Sequence, residues 1–319
     1  MTQIDLKTAV GILKDNDNYL ILTHKNPDGD TLGSAFALMY ALRSLGKSAK
    51  VQCCDKIPKK YSYMYSPDDI GETEGSYVIA VDVADEKLLG NGVYDRYQGK
   101  VKLCIDHHIS NKGYAEYLLL RDCAAACEVI YDLIGILGVK IDKKIADCIY
   151  TGISTDTGCF KFANVTDYTH IIAAGLISAG ADFVEINKAM FETKSRGYFL
   201  LEAAAVNTIE MYNGGKCAVM TITQKMLHAS GTDESDCDGI ASIPRKIEGV
   251  LVGVTLRERT DGTYKVSLRS HAPVDCTKIC GEMGGGGHAR AAGCEFSREN
   301  LEKGKAQLLA IITRELDSI

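Results

Sequence analysis

Four short stretches hold the side chains best suited to chemistry. His24-Lys-Asn-Pro-Asp28-Gly-Asp30 sets an imidazole and two carboxylates close together. Asp82 follows one apolar run, Asp106-His107-His108 follows another, and Thr155-Asp156-Thr157-Gly158 ends a helical segment. Asp28, Asp30, Asp82 and Asp156, packed without compensation, would raise one another's pKa until some took up protons. Two divalent cations would cancel the four charges. Mixed carboxylate and imidazole donors suit Mn²⁺ better than Mg²⁺ alone and exclude a thiolate zinc site. Two metals about 3.5–4 Å apart are the usual apparatus for in-line displacement at phosphorus. Each piece alone has a plain structural reading, since Asp-Gly-Asp is commonly a turn and Asp156 could cap a helix. Together, in phase with strand ends, they read as a site.

The elements that must position these groups follow from periodicity. Tyr19–Thr23, Ala49–Cys53, Tyr77–Val81 and Val101–Ile105 are apolar runs that read as buried strands. Leu32, Ala35, Phe36, Met39, Leu42 and Leu45 give Thr31–Leu45 the helical period. Continuous strands alternating with helices predict a parallel sheet covered by helices on both faces. Ligands in such sheets bind beyond the carboxyl ends of the strands. Glu128–Leu137, Lys143–Ile153 and Tyr168–Ser178 read as helices. The polar stretch Glu192–Arg196 marks a boundary, predicting domains at 1–192 and 193–319. The second, smaller α/β domain has strands at Lys216–Ile222, Val250–Arg257 and Thr263–Arg269, with a hairpin turn at Asp261-Gly262. Short and final helices are expected at Asp275–Met283 and Arg298–Leu316, with a glycine loop, Gly284–Gly287, before His288.

The 319 residues, with 46% hydrophobic and 24% charged, suit two soluble globular domains. The net charge of −6 argues against a grip on long duplex nucleic acid, so any phosphates should be few and locally bound. No apolar run approaches the ~20 residues of a spanning helix. The opening MTQIDLKTAV lacks the basic-then-apolar run of a signal peptide, so a cytoplasmic location with no membrane partner is expected. The 12 cysteines include no Cys-x-x-Cys and read as reduced, mostly buried thiols. Cys123-x3-Cys127 and Cys276-x3-Cys280 suit one helical turn each, and Cys53 and Cys54 fall in a strand. Tyr61, Tyr63 and Tyr65 read as a partly buried edge rather than a base-stacking platform.

His24-x3-Asp28-x-Asp30-x2-Gly33-Ser34, Asp82, Asp106-His107-His108 and Ser154-Thr155-Asp156 resemble the four motifs of the DHH phosphoesterase superfamily. Gly284–His288, with Ala291-Ala292-Gly293 behind it, resembles that superfamily's DHHA1-type second domain. Order, spacing and length are similar to the bacterial nanoRNase/pAp-phosphatase group. Its members trim RNA oligomers of a few nucleotides to mononucleotides and remove the 3′-phosphate of 3′-phosphoadenosine 5′-phosphate (pAp). Some relatives hydrolyse cyclic dinucleotides or their linear products, which is the alternative activity.

The resemblance implies one metal on His24, Asp28 and Asp82 and a second on Asp30, Asp82, His107 and Asp156. Manganese is expected, with magnesium or cobalt as alternatives. It implies that Asp106 orients a motif histidine and that His108 faces the scissile phosphate as hydrogen-bond donor or general acid. Arg269, Ser270, Gly285, Gly286, Gly287 and His288 are implied to bind substrate. Their physics agrees, because consecutive glycines allow backbone N–H groups to converge on an anion and arginine binds phosphate bidentately. Similar proteins are often homodimers. The run Ala124-Ala-Ala-Cys127-Glu128 departs from the family's Ser/Thr-rich stretch, which removes an expected hydroxyl contact but no metal ligand. Three rivals fit less well. A manganese pyrophosphatase would carry a lysine- and arginine-rich motif in its second domain. A RecJ-type exonuclease would need a longer, more basic chain. A non-catalytic nucleotide-binding protein would have lost a ligand.

Overall fold

Strands β1 (Thr2–Gln3), β2 (Tyr19–Leu22), β3 (Ala49–Gln52), β4 (Tyr77–Val81), β5 (Leu103–Asp106) and β6 (Tyr117–Leu120) pair in the order β1-β6-β5-β4-β2-β3. Every pairing is parallel. These strands come from a computed structural model that describes residues 1–73 and 76–319. The chain divides into two units, Met1–Thr193 and Lys194–Ile319.

The first unit carries helices α1 (Leu6–Asp15), α2 (Gly29–Ser44), α3 (Val93–Tyr97), α4 (Ala126–Leu137), α5 (Lys143–Asp156), α6 (Asp167–Ser178) and α7 (Phe183–Asn187). Tyr19, Ile21, Val51, Ile79, Val81 and Ile105 face a core filled from α1, α2, α4, α5 and α6. On the other face, Leu20, Leu22, Val78, Ala80 and Cys104 pack against Leu89 and the short α3. Both faces are covered, as the continuous apolar runs predict, but one cover is much thinner.

Helix α2 is the axle of the unit. Thirteen of its sixteen residues are buried, so it reads as apolar all round rather than as a stripe. Asp28 caps it, its Oδ1 accepting from the N–H groups of Asp30 (3.0 Å) and Thr31 (3.1 Å). Thr31 Oγ1 donates to Val81 O at 3.0 Å, tying the first turn of α2 to the end of β4. Two glycines let α5 approach closely. A Cβ at Gly33 would lie 2.4 Å from Cys148 O, and one at Gly152 would lie 2.2 Å from Cys127 Sγ and 2.8 Å from Asp30 Oδ1.

The second unit holds β7 (Glu210–Tyr212), β8 (Cys217–Ile222), β9 (Val252–Glu258), β10 (Thr263–Ser270), β11 (Gly286–His288) and β12 (Ala291–Ser297), in the order β11-β12-β10-β9-β8-β7. Its helices are α8 (Arg196–Val206), α9 (Gln224–Ser230), α10 (Cys237–Ile240), α11 (Cys276–Glu282) and α12 (Leu301–Asp317). Strand β8 runs parallel to β9, and the other pairs are antiparallel. Alternate residues Val252, Val254, Leu256, Val266 and Leu268 pack on one face with α11 and α12 residues. Met220 and Ile222 of β8 pack on the other face with α8, α9 and α10.

Several sequence expectations change. Gly286 and Gly287 are not loop residues but half of a β11–β12 hairpin. Gly284 and Gly285 close the end of α11 through hydrogen bonds to Gly281 O and Cys280 O. Strand β6 and the two-residue β1 extend the parallel sheet beyond the four expected strands. Cys53 and Cys54 lie just beyond β3, and Cys123 precedes α4, so it shares no helical turn with Cys127. The last helix begins at Leu301, after a tight turn over Arg298–Asn300. All 12 cysteines are free. Among the described residues no helix is long and apolar enough to cross a membrane.

Candidate metal centre

The strand order reverses between β2 and β4: the chain moves outward from β2 to β3 on one side and from β4 to β5 and β6 on the other. Ligands of open α/β sheets gather at such a switch point. Here the chain leaving β2 presents His24 and Asp28, and the chain leaving β4 presents Asp82. Asp82 adopts φ +57, a left-handed conformation uncommon for a residue with a side chain. Its N–H donates to Ile105 O at 2.9 Å, fixing the turn beside β5. His24 Nε2 lies 3.6 Å from Asp28 Oδ1 and 3.6 Å from Asp82 Oδ2.

The second group is built by helix packing. Asp30, in the first turn of α2, is fully buried and reaches the start of α4. Its carboxylate accepts from Ala126 N (2.6 Å) and Cys127 N (2.9 Å). Ala125 gives α4 no side-chain cap, so Asp30 supplies the negative charge that the helix start favours. His107 Nε2 stands 3.8 Å from Asp30 Oδ2, 3.5 Å from Asp82 Oδ1 and 3.5 Å from Asp156 Oδ2 at the end of α5. Donor atoms of His24, Asp28 and Asp82 lie within 4.8 Å of one another, as do those of Asp30, His107 and Asp156.

The two motif histidines are held differently. His107 Nδ1 is 3.1 Å from Cys123 O, and His24 Nδ1 is 2.8 Å from Lys25 O. An Nδ1–H donated to a carbonyl leaves each Nε2 facing the carboxylates, where it would become a ligand lone pair on giving up its proton to a bound metal, the usual support of a metal-bound imidazole. His108 instead places Nδ1 2.8 Å from Asp106 Oδ1 and 3.4 Å from Asp82 Oδ1. Asp106 is fully buried, and its Oδ2 accepts from Asn111 Nδ2 at 2.6 Å. The histidine ring that Asp106 holds is therefore His108.

Burial opposes charge on His24, but the Asp28 and Asp82 carboxylates outweigh it and raise its pKa to about 11. The hydrogen bond that His108 donates to Asp106 raises its pKa to about 9, against its burial. Asp82 and Asp156 are pushed above the usual carboxylate range by burial first and then by the charge of Asp30. Burial also raises Asp30, outweighing the pull of His107. Asp82 Oδ1 is buried and accepts no hydrogen bond. Buried polar atoms are rarely left so, because the cost is about 1–3 kcal/mol. An orphaned carboxylate oxygen among hard oxygen and imidazole donors fits a divalent cation.

In the second unit the register aligns Arg269, Ala291 and His288 side by side on β10, β12 and β11. Arg269 Nη1 donates to Leu268 O at 2.9 Å, and among the described residues no carboxylate pairs with it. Ser270 is buried, and its hydroxyl donates to Val274 O at 2.8 Å. Gly285 N donates to Cys280 O at 2.8 Å, so neither Ser270 Oγ nor Gly285 N–H is open to a ligand. Gly286, Gly287 and His288 are exposed.

Sequence reasoning missed Asn111, Gly152 and the capping of α4 by Asp30. Asn111 was visible three residues after His108, and the uncapped Ala124–Ala126 run signalled a cap from elsewhere in the chain.

Two family models match the chain: the DHH family N-terminal domain over residues 18–153 and the DHHA1 domain over residues 214–314. The bifunctional oligoribonuclease and PAP phosphatase NrnA of Thermus thermophilus is 32% identical over 303 residues, covering 93% of this chain and 89% of that protein. The Bacillus subtilis protein of the same name is 30% identical, with 88% and 90% covered. Among solved structures, an exopolyphosphatase-related protein from Bacteroides fragilis superposes with a TM-score of 0.88 at 25% identity, over 98% of this chain and 97% of that one. With both halves of the chain matched and the strand-end carboxylates gathered around Asp82, this protein belongs to the DHH–DHHA1 family of phosphoesterases, alongside the bifunctional oligoribonuclease and PAP phosphatases.

Proposed function

We propose that this chain is a manganese-dependent phosphoesterase that cuts RNA oligomers of a few nucleotides to mononucleotides and converts pAp to AMP and phosphate. The observation that carries the reading is Asp82, a buried carboxylate whose Oδ2 lies 3.6 Å from His24 Nε2 and whose Oδ1, without a hydrogen bond, lies 3.5 Å from His107 Nε2. The substrate class follows from the full-length similarity to oligoribonuclease and PAP phosphatase relatives. One ion is assigned to His24, Asp28 and Asp82, and a second to Asp30, Asp82, His107 and Asp156. When bound, the ions neutralise the carboxylates, polarise a phosphoryl oxygen and lower the pKa of water.

The chain's own residues do the rest. Asp106, braced by Asn111, holds the His108 ring through Nδ1 and leaves Nε2 free to face substrate. As water adds to phosphorus and the P–O ester bond breaks, His108 gives its proton to the departing oxygen. The left-handed turn at Asp82 keeps that carboxylate between His24 and His107. Arg269 and His288 bind a further phosphate or nucleotide of the substrate. The same reading makes the protein cytoplasmic and, from its family membership, a homodimer.

The test is purified protein with Mn²⁺ assayed against pAp, RNA 2–5-mers and cyclic dinucleotides. Turnover of pAp and short RNA well above that of cyclic dinucleotides is expected. Faster turnover of cyclic dinucleotides would favour the alternative, and no turnover of any would overturn the reading.

A further inference from the structure

The face of the second sheet turned away from its α11–α12 core is laid out in three rows. One row is Arg257, Lys265 and Glu295; the next is Thr255, Ser267, Gly293 and Gly286; the third is Gly253, Arg269, Ala291 and His288. Directly paired residues on neighbouring strands share a face, and residues two apart on one strand do too. The middle row is small throughout; Thr255 is buried and donates to Ala241 O at 3.1 Å, so Ser267, Gly293 and Gly286 form the open floor. Arg269 and His288 stand on one bank, and Arg257 and Lys265 on the other. Lys265 and Arg269 are four positions apart on β10, a span of about 13 Å.

The outer bank is electrostatically incomplete. Arg257 and Lys265 sit opposite each other across β9 and β10, and like charges so placed repel. Lys265 has Glu295 on its other side, but that carboxylate pairs with Arg259 at 2.7 Å. Among the described residues no carboxylate pairs with Lys265. Among the described residues Arg257 is tied to Glu234 alone, through Nη1 to Glu234 O (3.0 Å) and Nη2 to Glu234 Oε2 (3.2 Å). Its Nε is buried and has no partner. A water-sized void lies against Arg257, Lys265, Ser267 and Thr255, and Lys265 also borders a depression of about 420 Å³ with Arg259, Gly284 and Gly293. Among the described residues Lys265 has no carboxylate partner, and Arg257, although paired with Glu234, keeps a buried Nε without a hydrogen-bond partner.

We propose that Arg257 and Lys265 form a second phosphate subsite, which takes a backbone phosphate of single-stranded RNA about two nucleotides from the one held at Arg269. The proposal rests on the functional reading above and adds to it a determinant of substrate length. A mononucleotide such as pAp, or a dinucleotide, spans too little to reach both banks. A four- or five-nucleotide strand lies across the floor, where the glycines and Ser267 leave room for the sugar–phosphate chain. Ordinary phosphate contacts carry no sequence information, so the subsite reads length and charge rather than base identity.

The experiment compares kcat/KM for an RNA 5-mer and for pAp in the full-length, manganese-loaded wild type and in Lys265→Ala, Lys265→Glu and Lys265→Arg. Lys265 is chosen because Arg257 also anchors Glu234 and its loss could disturb folding. The 5-mer/pAp ratio is expected to fall about tenfold in Lys265→Ala and further in Lys265→Glu, mainly through KM, and to recover in Lys265→Arg. The slope of log kcat/KM against log salt for the 5-mer should flatten by about 0.7 in Lys265→Ala, one phosphate contact on a single strand. An active wild type whose ratio and salt slope do not change in Lys265→Glu would overturn this subsite alone. A wild type inactive on both substrates would overturn the functional reading and the subsite with it.

Discussion

Asp69 and Asp82 are both nearly fully buried carboxylates of the first unit, and their surroundings are opposite. Asp69 accepts from Ser66 N (2.7 Å), Ser66 Oγ (2.8 Å) and Tyr40 OH (2.7 Å), and pairs with Arg43 at 2.5 Å. These partners overcome its burial and hold its pKa at about 2. Asp82 has imidazoles at 3.4–3.6 Å, no Lys or Arg partner among the described residues, and one oxygen that accepts no hydrogen bond. Burial and the charge of Asp30 push it upward. The Asp69 corner is complete in itself, whereas the Asp82 pole is arranged to receive positive charge from outside. The second unit offers the converse in Lys265, which no carboxylate pairs among the described residues, beside Arg257, whose Nε has no hydrogen-bond partner.

The largest effect expected is at that incomplete pole. Asp82→Asn should lose tightly bound metal and at least 10²–10³-fold in turnover, the scale of a lost electrostatic contact to the transition state. Without metal the sign reverses. A carboxyl whose pKa is raised on folding takes up protons in the folded state, so it weakens the metal-free fold as pH rises above its unfolded value. Metal-free Asp82→Asn should therefore unfold no more readily than wild type at pH 7. Retention of full metal content in the variant, measured by elemental analysis, would end the idea of Asp82 as a shared ligand.

Next is the division between the two histidines. His108→Ala should keep its metals and lose about 10²–10⁴-fold in kcat, the range for a missing general acid. His107→Ala should lose metal as well. Metal loss in His108→Ala with metal retained in His107→Ala would mean their roles are exchanged, against the contrast between Asp106 and Cys123 O as their ring partners.

Much of this pole was legible in the sequence because its residues sit just past apolar runs that can only be buried strands. Tyr77–Val81 is the same strand in both readings, and Asp82 follows it directly. What the sequence hid depends on contacts between distant segments. Asp30 caps a helix that begins 96 residues later, a pairing no local pattern encodes. Strand β6 escaped notice because Tyr117–Leu120 is short and lies between polar stretches. The glycines of the second unit read as an anion-binding loop. Gly286 and Gly287 are in fact strand residues, and the approach to β12 excludes a side chain at Gly287, where a Cβ would meet Ala291 O at 2.6 Å. The row containing Lys265 and Arg257 required the register of three strands, which periodicity alone does not give.

On the second unit, Arg269→Ala should cost about 10–150-fold in kcat/KM on pAp and dinucleotides, the worth of one charge-assisted contact at 1.5–3 kcal/mol. A simple aryl phosphodiester has no second phosphate or base to grip, so its loss should be much smaller. Equal losses on both substrates would place Arg269 in the chemistry rather than in recognition, and remove the contrast between the two charged regions.

The smallest effect is expected at the complete corner, and it tests the comparison from the other side. The Asp69 pKa is depressed on folding from the ordinary 3.8 to about 2. A depressed carboxyl stabilises the fold above its unfolded pKa, and that stability is lost as pH falls toward the folded value. The difference of nearly two units corresponds to about 2 kcal/mol. Asp69→Asn keeps the shape of the side chain and imitates its protonated form. Its unfolding free energy should therefore fall about 2 kcal/mol below wild type at pH 6–7, with the gap closing between pH 4 and pH 2. Metal content should not change, because Asp69 is bonded to Arg43, Tyr40 and Ser66, none of which belongs to the ligand set. A gap that stayed constant with pH would show that Asp69 contributes by packing rather than by its charge. The contrast with Asp82 would then rest on shape, and the orphaned oxygen at Asp82 would lose its meaning as a place for a cation.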